Sequence, residues 1–363
     1  MFSRQRFATI AITCLPAVAH ATGLNFWESS TSNSALAGAN GAHAVDASVL
    51  ATAPSSMTQL SRTTITANVT QYQVDTDYYI LGTQSQYSKA NPIPAGFFVT
   101  PMTDNWYFGL SAYSRTAADI TIPVLIPVVT NETRMRPIVV SFAPSVAVKI
   151  NDVSVGFTVE YQYASYLLEK NACFINCTMS KEEGTTGGWS GAISATWQVD
   201  DYLSLAASHK LDSDFGNDDI QFNLPSITSL YSTFALTDNW RWHNTYSLSR
   251  WHNQGITYIH YLDPVGLLKG SRHSQRYATS MTYDWRDFTF RGGVSLDKAI
   301  DAYGGEDIRY RLGMSYRVSE HLTLDLTGFI EDYAHKQYTS GSFTLVDVQN
   351  DGSGLSLGAS YHF

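Results

Sequence analysis

The sequence predicts an all-β fold, a transmembrane antiparallel β-barrel of about fourteen strands occupying residues 62–363. Three observations predict it. The chain of 363 residues has a mean hydropathy of -0.14, and beyond its first residues it has no run of about 18 apolar residues that would cross a bilayer as a helix. Tyr (22), Phe (17) and Trp (8) are abundant while charged residues make up only 15%, which suits a lipid-facing band between aromatic girdles. Period-two runs are joined by junctions that alternate short and long. A soluble sandwich alternates polar and apolar residues too, but it does not impose that spacing of turns.

The N-terminus reads Met-Phe-Ser-Arg-Gln-Arg, then an apolar stretch from Phe7 to Val18, then Ala19-His20-Ala21. This is the order of a secretory signal, so residues 1–21 are expected to be a signal peptide that takes Cys14 with it. Cleavage removes two arginines and no acid, so the formal charge moves from -9 to -11 on 342 residues. A chain so acidic is not expected to bind nucleic acid, whose phosphates need basic patches. Residues 22–61 are rich in Ala, Ser, Asn and Gly, lack period-two alternation, and read as a compact irregular segment.

From Thr63 the alternation begins. Strands are expected at about 63–74, 93–102, 105–114, 136–149, 152–164, 188–199 and 201–212, then at 224–237, 239–252, 272–285, 287–298, 307–318, 320–334 and 353–363. Residues 239–252 show the two faces plainly: Trp240, Trp242, Tyr246 and Leu248 alternate with Arg241, His243, Thr245, Ser247 and Ser249. Val155, Phe157, Val159 and Tyr161 oppose Ser154, Thr158, Glu160 and Gln162, and Tyr310, Leu312 and Met314 oppose Arg309, Arg311 and Ser315. At 224–237 the pattern is mixed, because Leu230 and Phe234 fall on one face and Ile227 and Tyr231 on the other.

Junctions after even-numbered strands are tight and polar: Thr103-Asp104, Asn151, Asp200, Asp238, Arg286-Asp287 and Ser319-Glu320. Those after odd-numbered strands are long, as at 115–135, 165–187, 253–271 and 335–352. Short periplasmic turns and long external loops are the arrangement of outer-membrane barrels. Leu355, Leu357, Ala359, Tyr361 and Phe363 form an apolar face that closes on an aromatic residue, as bacterial outer-membrane barrels commonly do for assembly.

Cys173 and Cys177, separated by Phe-Ile-Asn, are expected to close a small disulfide loop in an oxidising compartment. Two thiols four apart lack the further ligands of a metal site, and no cofactor is expected. His243 and His252 stand among Trp and Arg without a recognisable nucleophile, so the chain is not expected to be an enzyme.

Residues 23–60 resemble the plug of the FadL-type long-chain fatty-acid and aromatic-hydrocarbon transporters of bacterial outer membranes. The likeness lies in Gly23-Leu24-Asn25-Phe26, Glu28-Ser29-Ser30, Ala35-Leu36-Ala37-Gly38-Ala39-Asn40-Gly41-Ala42, Asp46-Ala47-Ser48 and Met57-Thr58-Gln59-Leu60. The family usually carries Asn-Pro-Ala before that Met, where this chain has Ala51-Thr52-Ala53-Pro54-Ser55. Pro94 to Phe98, Pro101 to Leu110, Leu224-Pro225 and Thr237 to Trp240 continue the likeness in the same order.

The resemblance implies fourteen strands closed around an N-terminal plug, here residues 22–61. It implies uptake of hydrophobic small molecules, long-chain fatty acids or aromatic hydrocarbons, by ligand-gated passive diffusion. Ligands would pass from external loops to a pocket near the plug's N-terminus, then sideways through a wall gap at a kinked third strand. Its partners would be the hydrophobic ligand, outer-membrane lipid with lipopolysaccharide, and the barrel assembly machinery, with the protein a monomer of the Gram-negative outer membrane. The alternative is a general porin for polar solutes.

Candidate residues follow. The landing site is sought in Ile120 to Val129, with Val124, Leu125, Ile126 and Val128 as contacts, against a continuation of the third strand or a packed loop core. Pro123 and Pro127 argue against a long ladder there. Leu24, Phe26 and Trp27 are candidates for the inner pocket, where the resemblance places Leu24, or for wedging the plug against the wall. Gly109 is the candidate for the lateral exit, against simple packing relief. Lys149, Glu160, Arg276, Asp284, Arg291, Asp297, Arg309, Arg311 and Asp325 are expected to line the lumen and hold the plug by ion pairs, against capture of a ligand's carboxylate by one of the basic residues. Asp212, Asp214, Asn217, Asp218 and Asp219 are expected in a solvated loop, or bridged to lipopolysaccharide by divalent ions.

Overall fold

A computed structural model describes residues 29–80, 83–117, 119–126, 129–173, 177–216, 220–251, 257–259, 273–298, 305–340 and 343–363. Fourteen long antiparallel strands close into one barrel. They are β1 (Thr64–Ile80), β2 (Thr83–Pro101), β3 (Trp106–Ala117), β4 (Ile138–Ile150), β5 (Val153–Cys173), β6 (Cys177–Gln198) and β7 (Leu203–Lys210). The second half comprises β8 (Ser226–Ala235), β9 (Trp240–Arg250), β10 (Ser274–Trp285), β11 (Phe288–Lys298), β12 (Glu306–Arg317), β13 (Leu322–Asp332) and β14 (Phe343–His362). Each pairs with its neighbour in sequence, and β1 closes on β14 from Thr64↔His362 to Ile80↔Val346. Closure leaves no row of unpaired backbone groups facing hydrocarbon, which is the condition for a sheet to span a membrane.

The two faces separate as the alternation predicts. Leu312, Tyr310, Phe157, Val159, Trp240 and Trp242 are exposed on the outer wall, while Arg309, Arg311, Thr158, Glu160, Gln162 and His243 are buried within. The mixed pattern of β8 has a simple cause. Ile227 and Tyr231 face inward because the plug is there, and Tyr231 packs against Ala42 and Ala53.

Several strands run farther than alternation shows. The segment 165–187, expected as a loop, continues β5 and β6 as one hairpin paired out to Cys173↔Cys177. In the same way β1 and β2 pair to Ile80↔Thr83, and β14 begins at Phe343 instead of 353. Seventeen residues in β1, at roughly 3.3 Å each, far exceed an apolar band of about 25 Å even when tilted. Beyond the membrane the outer face has no reason to be apolar, so alternation fades while the ladder continues. The expected loop 115–135 contains a strand pair, Ile120–Ile126 with Val129–Met135, whose second strand also pairs with β5. Ser213–Gly216, Ile220–Leu224 and Thr257–Ile259 form a separate small sheet. Asp212 and Asp214 fall at its start, and Asn217, Asp218 and Asp219 lie outside the described residues.

Inside the barrel, the described part of the plug is built from short capped turns. A single helical turn, Thr31–Ala35, starts at Ser30, whose hydroxyl accepts from Asn33 N at 3.0 Å. A 3-10 turn, Ala47–Ala51, is capped by Asp46, and a second, Pro54–Gln59, starts on proline, whose missing N–H costs nothing there. Small side chains let these turns lie against the wall, and two wall glycines admit them. A Cβ on Gly109 would come within 2.6 Å of Leu50, and one on Gly156 within 2.4 Å of the Ser55 backbone nitrogen.

Among the described residues, hydrogen bonds hold the plug to the wall. Among the described residues, the ion pairs join barrel strand to barrel strand: Arg276 to Asp297 (3.3 Å), Arg291 to Asp325 (3.4 Å), Arg311 to Glu331 (2.8 Å) and Arg241 to Asp284 (2.5 Å). Lys149 is exposed. The plug's own anchors are mostly hydroxyls: Ser55 and Ser56 to Thr196, Thr58 to Ser154, each at 2.7 Å, and Thr31 to Ser356 at 2.8 Å. Arg276 adds a bond to the Ala37 carbonyl (2.9 Å). The described plug sequence from Ser29 to Gln59 carries one acid, Asp46, and no lysine or arginine, so its contacts there are mostly those of hydroxyls and backbone.

Candidate ligand pathway

On one side of the lumen, plug and wall share an apolar cluster. Ala47, Val49, Leu50 and Met57 of the plug meet Phe97 and Val99 of β2, Tyr107 and Tyr113 of β3, and Ala147 of β4, all buried. Phe97 and Tyr113 stack with ring centroids 5.9 Å apart.

The wall changes beside that stack. β2 and β3 pair from Pro101↔Tyr107 to Gly96↔Ala112 and no farther. Past that pair β2 stays with β1 out to Thr83, and β3 stays with β4 out to Ala117. Pro92 and Pro94, which lack an N–H to donate, lie on β2 just where its pairing with β3 ends. On the other side β3 carries a bulge at Arg115, between Ser114↔Val140 and Thr116↔Val139. Higher up, Tyr87 of β2 donates to Glu132 of the strand pair at 120–135 (2.9 Å), bridging the top of the interval. The result is a window in the ladder, floored by Gly96↔Ala112 and edged inside by Phe97 and Tyr113.

Above the plug lies a cavity of about 60 Å³. Leu50, Pro54, Tyr113, Ile227 and Tyr231 supply apolar surface, and among the described residues the charged ones in its lining are Arg115, Lys210 and Arg276. The nearest carboxylate to the first two is Glu160, wholly buried behind the lining. It accepts from Arg115 at 3.0 Å, Tyr113 at 2.9 Å, Gln162 at 2.9 Å and Ser141 at 3.2 Å, and lies 3.2 Å from Lys210. Lys210 also donates to Tyr113 at 2.6 Å. Tyr113 thus belongs at once to the window edge, the apolar cluster and the charged wall.

Below the plug a second cavity, about 270 Å³, is of opposite character. Asp46, Asp284, Asp287, Glu320 and Asp325 outnumber Arg241, Arg291 and Arg317 in its lining, with His43 and His362 beside them. Burial, and next the Arg241 charge, push the His43 imidazole down to about 4, so this plug residue is neutral at pH 7.

The residues expected to carry the pathway are distributed unevenly. Leu24, Phe26, Trp27 and Val128 lie outside the described residues, as do the side chains of Val124, Leu125 and Ile126, whose backbone forms the strand Ile120–Ile126. Gly109 sits in an unbroken ladder, between Val99 of β2 and Ser145 of β4, and its open face is filled by Leu50. Packing relief accounts for it, and the break in the wall begins three residues farther along. Cys177, at the tip of the β5–β6 hairpin, is disulfide-bonded, and its register partner is Cys173. Alternation passed over Tyr113, Arg115 and Lys210. Lys210 was open to detection, because it shares a parity with Ser204 and Ser208 of β7. Arg115 was not, because the bulge turns Ser114, Arg115 and Thr116 all inward and breaks the period.

Comparison with known proteins decides the family. Residues 12–210 match the family model described as outer membrane protein transport protein (OMPP1/FadL/TodX). The chain belongs to that family. Like other FadL/TodX proteins it is an outer-membrane β-barrel, and the family assignment supports outer-membrane transport of hydrophobic molecules over a porin for polar solutes. Among solved structures, a Pseudomonas aeruginosa FadL homologue is similar at 15% identity, over 94% of this chain and 100% of that one, with a TM-score of 0.76. The Pseudomonas putida toluene transporter TodX follows at 12% identity, over 94% and 99%, with a TM-score of 0.73. The Ralstonia pickettii toluene transporter TbuX has 12% identity over 94% and 99%, with a TM-score of 0.71. At such identities these likenesses speak for the fold alone. No curated protein sequence matches the chain.

Proposed function

We propose that this FadL/TodX-family barrel takes up small hydrophobic molecules by passive diffusion, receiving them above the plug and releasing them sideways into the membrane between β2 and β3. The observation that carries the reading is the end of the β2–β3 ladder at Gly96↔Ala112, beside the stacked Phe97 and Tyr113. A molecule poorly soluble in water gains nothing from crossing a polar vestibule. It gains from an apolar contact that leads to lipid.

The plug supports the same direction. It is bonded to β5, β6, β13 and β14 at once, and the cavity beneath it is polar and acid-rich. The landing site is the strand pair at 120–135 with Val124, Leu125, Ile126 and Val128, and Leu24, Phe26 and Trp27 complete the inner pocket. Ligand arrival gates the path by displacing these apolar contacts, and the concentration gradient drives it. The barrel performs no chemistry. It acts as a monomer among lipid and lipopolysaccharide after insertion by the barrel assembly machinery.

Two measurements on the purified protein test the reading together. Native mass spectrometry is expected to show a hydrophobic molecule at one per barrel, lost when Leu24 and Phe26 are both changed to Asp. Planar-bilayer recording is expected to show little steady current. An empty barrel with large steady conductance would make it a porin.

A further inference from the structure

We propose that Asp297 and Asp307, buried face to face at the outer rim of the lumen, form a proton-binding carboxylate pair, and that the proton fastens the rim by holding the chain at Ala334 against β12. The inference concerns a part of the barrel that the transport reading does not use. Asp297 of β11 and Asp307 of β12 are register partners, and both are wholly buried. Directly opposed residues stand about 5 Å apart at Cβ, a distance at which like charges destabilise a sheet. Two carboxylates so placed and cut off from water do not both ionise readily, and one of them keeps a proton.

The surroundings decide which one. Asp297 is met by Arg276 at 3.3 Å, Arg309 at 3.5 Å and the Ser295 hydroxyl at 3.2 Å. Asp307 makes no ion pair among the described residues: its Oδ1 accepts from the Ala334 N–H at 2.8 Å, and its Oδ2 is buried without a partner. Arg309 is divided between Asp297 and Glu331 of β13 (3.6 Å), and Tyr333 turns its hydroxyl to Glu331 at 2.5 Å. Lys336 opens the strand Lys336–Ser340, which pairs with β14, and adds the remaining cation. Burial pushes the Asp307 carboxyl up to about 7, helped by the Asp297 charge and opposed by the Ala334 N–H, Arg309 and Lys336.

This rim lies above the hydrocarbon. One residue nearer the membrane, Ile308 is in register with Asp332, Asp332 with Asp351, and Asp351 with Asp75, three exposed carboxylates that have no place against lipid tails. The contact under control is a tight one. Gly305, at φ +112°, passes so near Ala334 that a Cβ on it would come within 2.5 Å of the Ala334 side chain. With Asp307 neutral, the two segments close on each other through the bond to Ala334. Once ionised, the side chain is relieved only by reaching water, which parts β12 from Ala334. The raised value fixes the sign. The clasp is at full strength below the ordinary value of 3.8, weakens as the pH climbs, and is loosest above about 7.

The test follows amide hydrogen exchange of Ala334 to Gln337 in the full-length barrel in nanodiscs, at about pH 5 and about pH 8, with rates corrected for the intrinsic pH dependence of exchange. Wild-type protection is expected to fall at least about tenfold between the two. Asp307→Asn keeps an acceptor for Ala334 and never ionises, so it is expected to stay protected at both. Infrared difference spectra between the same two conditions are expected to show a protonated carboxyl C=O band that the wild type loses on the alkaline side and that the variant's spectrum lacks. Equal wild-type protection at both pH values would overturn the proposal, as would an equal fall in wild type and variant. A fall in wild-type protection with no protonated carboxyl lost would overturn it too. The wild-type measurements decide even where the variant fails to fold. Neither measurement uses a transported molecule, so every outcome leaves the transport reading as it stands.

Discussion

At the scale of single residues, the fit between plug and wall sets the sharpest expectations. Gly156 stands where any side chain would strike the Ser55 backbone, and backbone moves less readily than a side chain end. Gly156→Val is expected to cost about 1–3 kcal/mol through overpacking and to unseat the plug. Steady planar-bilayer conductance should then rise well above the wild-type level. A variant as silent as the wild type would show that the plug yields elsewhere. His43 makes a second expectation, with its sign fixed by burial. Its folded pKa of about 4 lies below the ordinary 6.5, so the undocked plug binds the proton more readily than the docked one. Docking is at full strength above pH 6.5 and weakens as pH falls through 6.5 toward 4. Limited proteolysis of the plug should quicken over that window, and His43→Gln should flatten the response.

At the scale of elements, alternation was informative wherever lipid lay on one side and water or polar wall on the other. Trp240 and Trp242 against His243, and Leu312 against Arg311, are legible for that reason, and most of the fourteen strands are placed by such contrasts. Outside the membrane the contrast vanishes, so the outer halves of β5 and β6 escaped notice. Inside, Tyr231 of β8 broke the pattern because it meets the plug, and Arg115 broke it because a bulge shifts the parity of β3. The prolines of β2 were visible in the sequence, but the place where β3 parts from β2 is a fact of pairing between distant segments. If Pro92 and Pro94 hold the ladder apart, replacing both with Thr restores two N–H donors and a β-prone side chain. Uptake of a labelled hydrophobic probe by whole cells is then expected to fall several-fold with the amount of folded barrel unchanged. Undiminished uptake would remove the prolines from the account.

At the scale of the whole molecule, the barrel separates two environments that share one lumen. Above the plug, cations and apolar side chains adjoin the β2–β3 window. Below it, an acid-rich cavity is closed off by small, hydroxyl-anchored residues. The separation explains why the route for an oily molecule leads outward through the β2–β3 interval. The most direct test of sideways release is to sew the window shut. Pro94→Cys and Ser114→Cys would face each other if the ladder ran two residues beyond Gly96↔Ala112. With that disulfide formed in intact cells, uptake of labelled decanoate and ethylbenzene is predicted to cease and to return on reduction, while the wild type is unaffected by the same reductant. Uptake that continues through the sewn barrel would contradict release between β2 and β3.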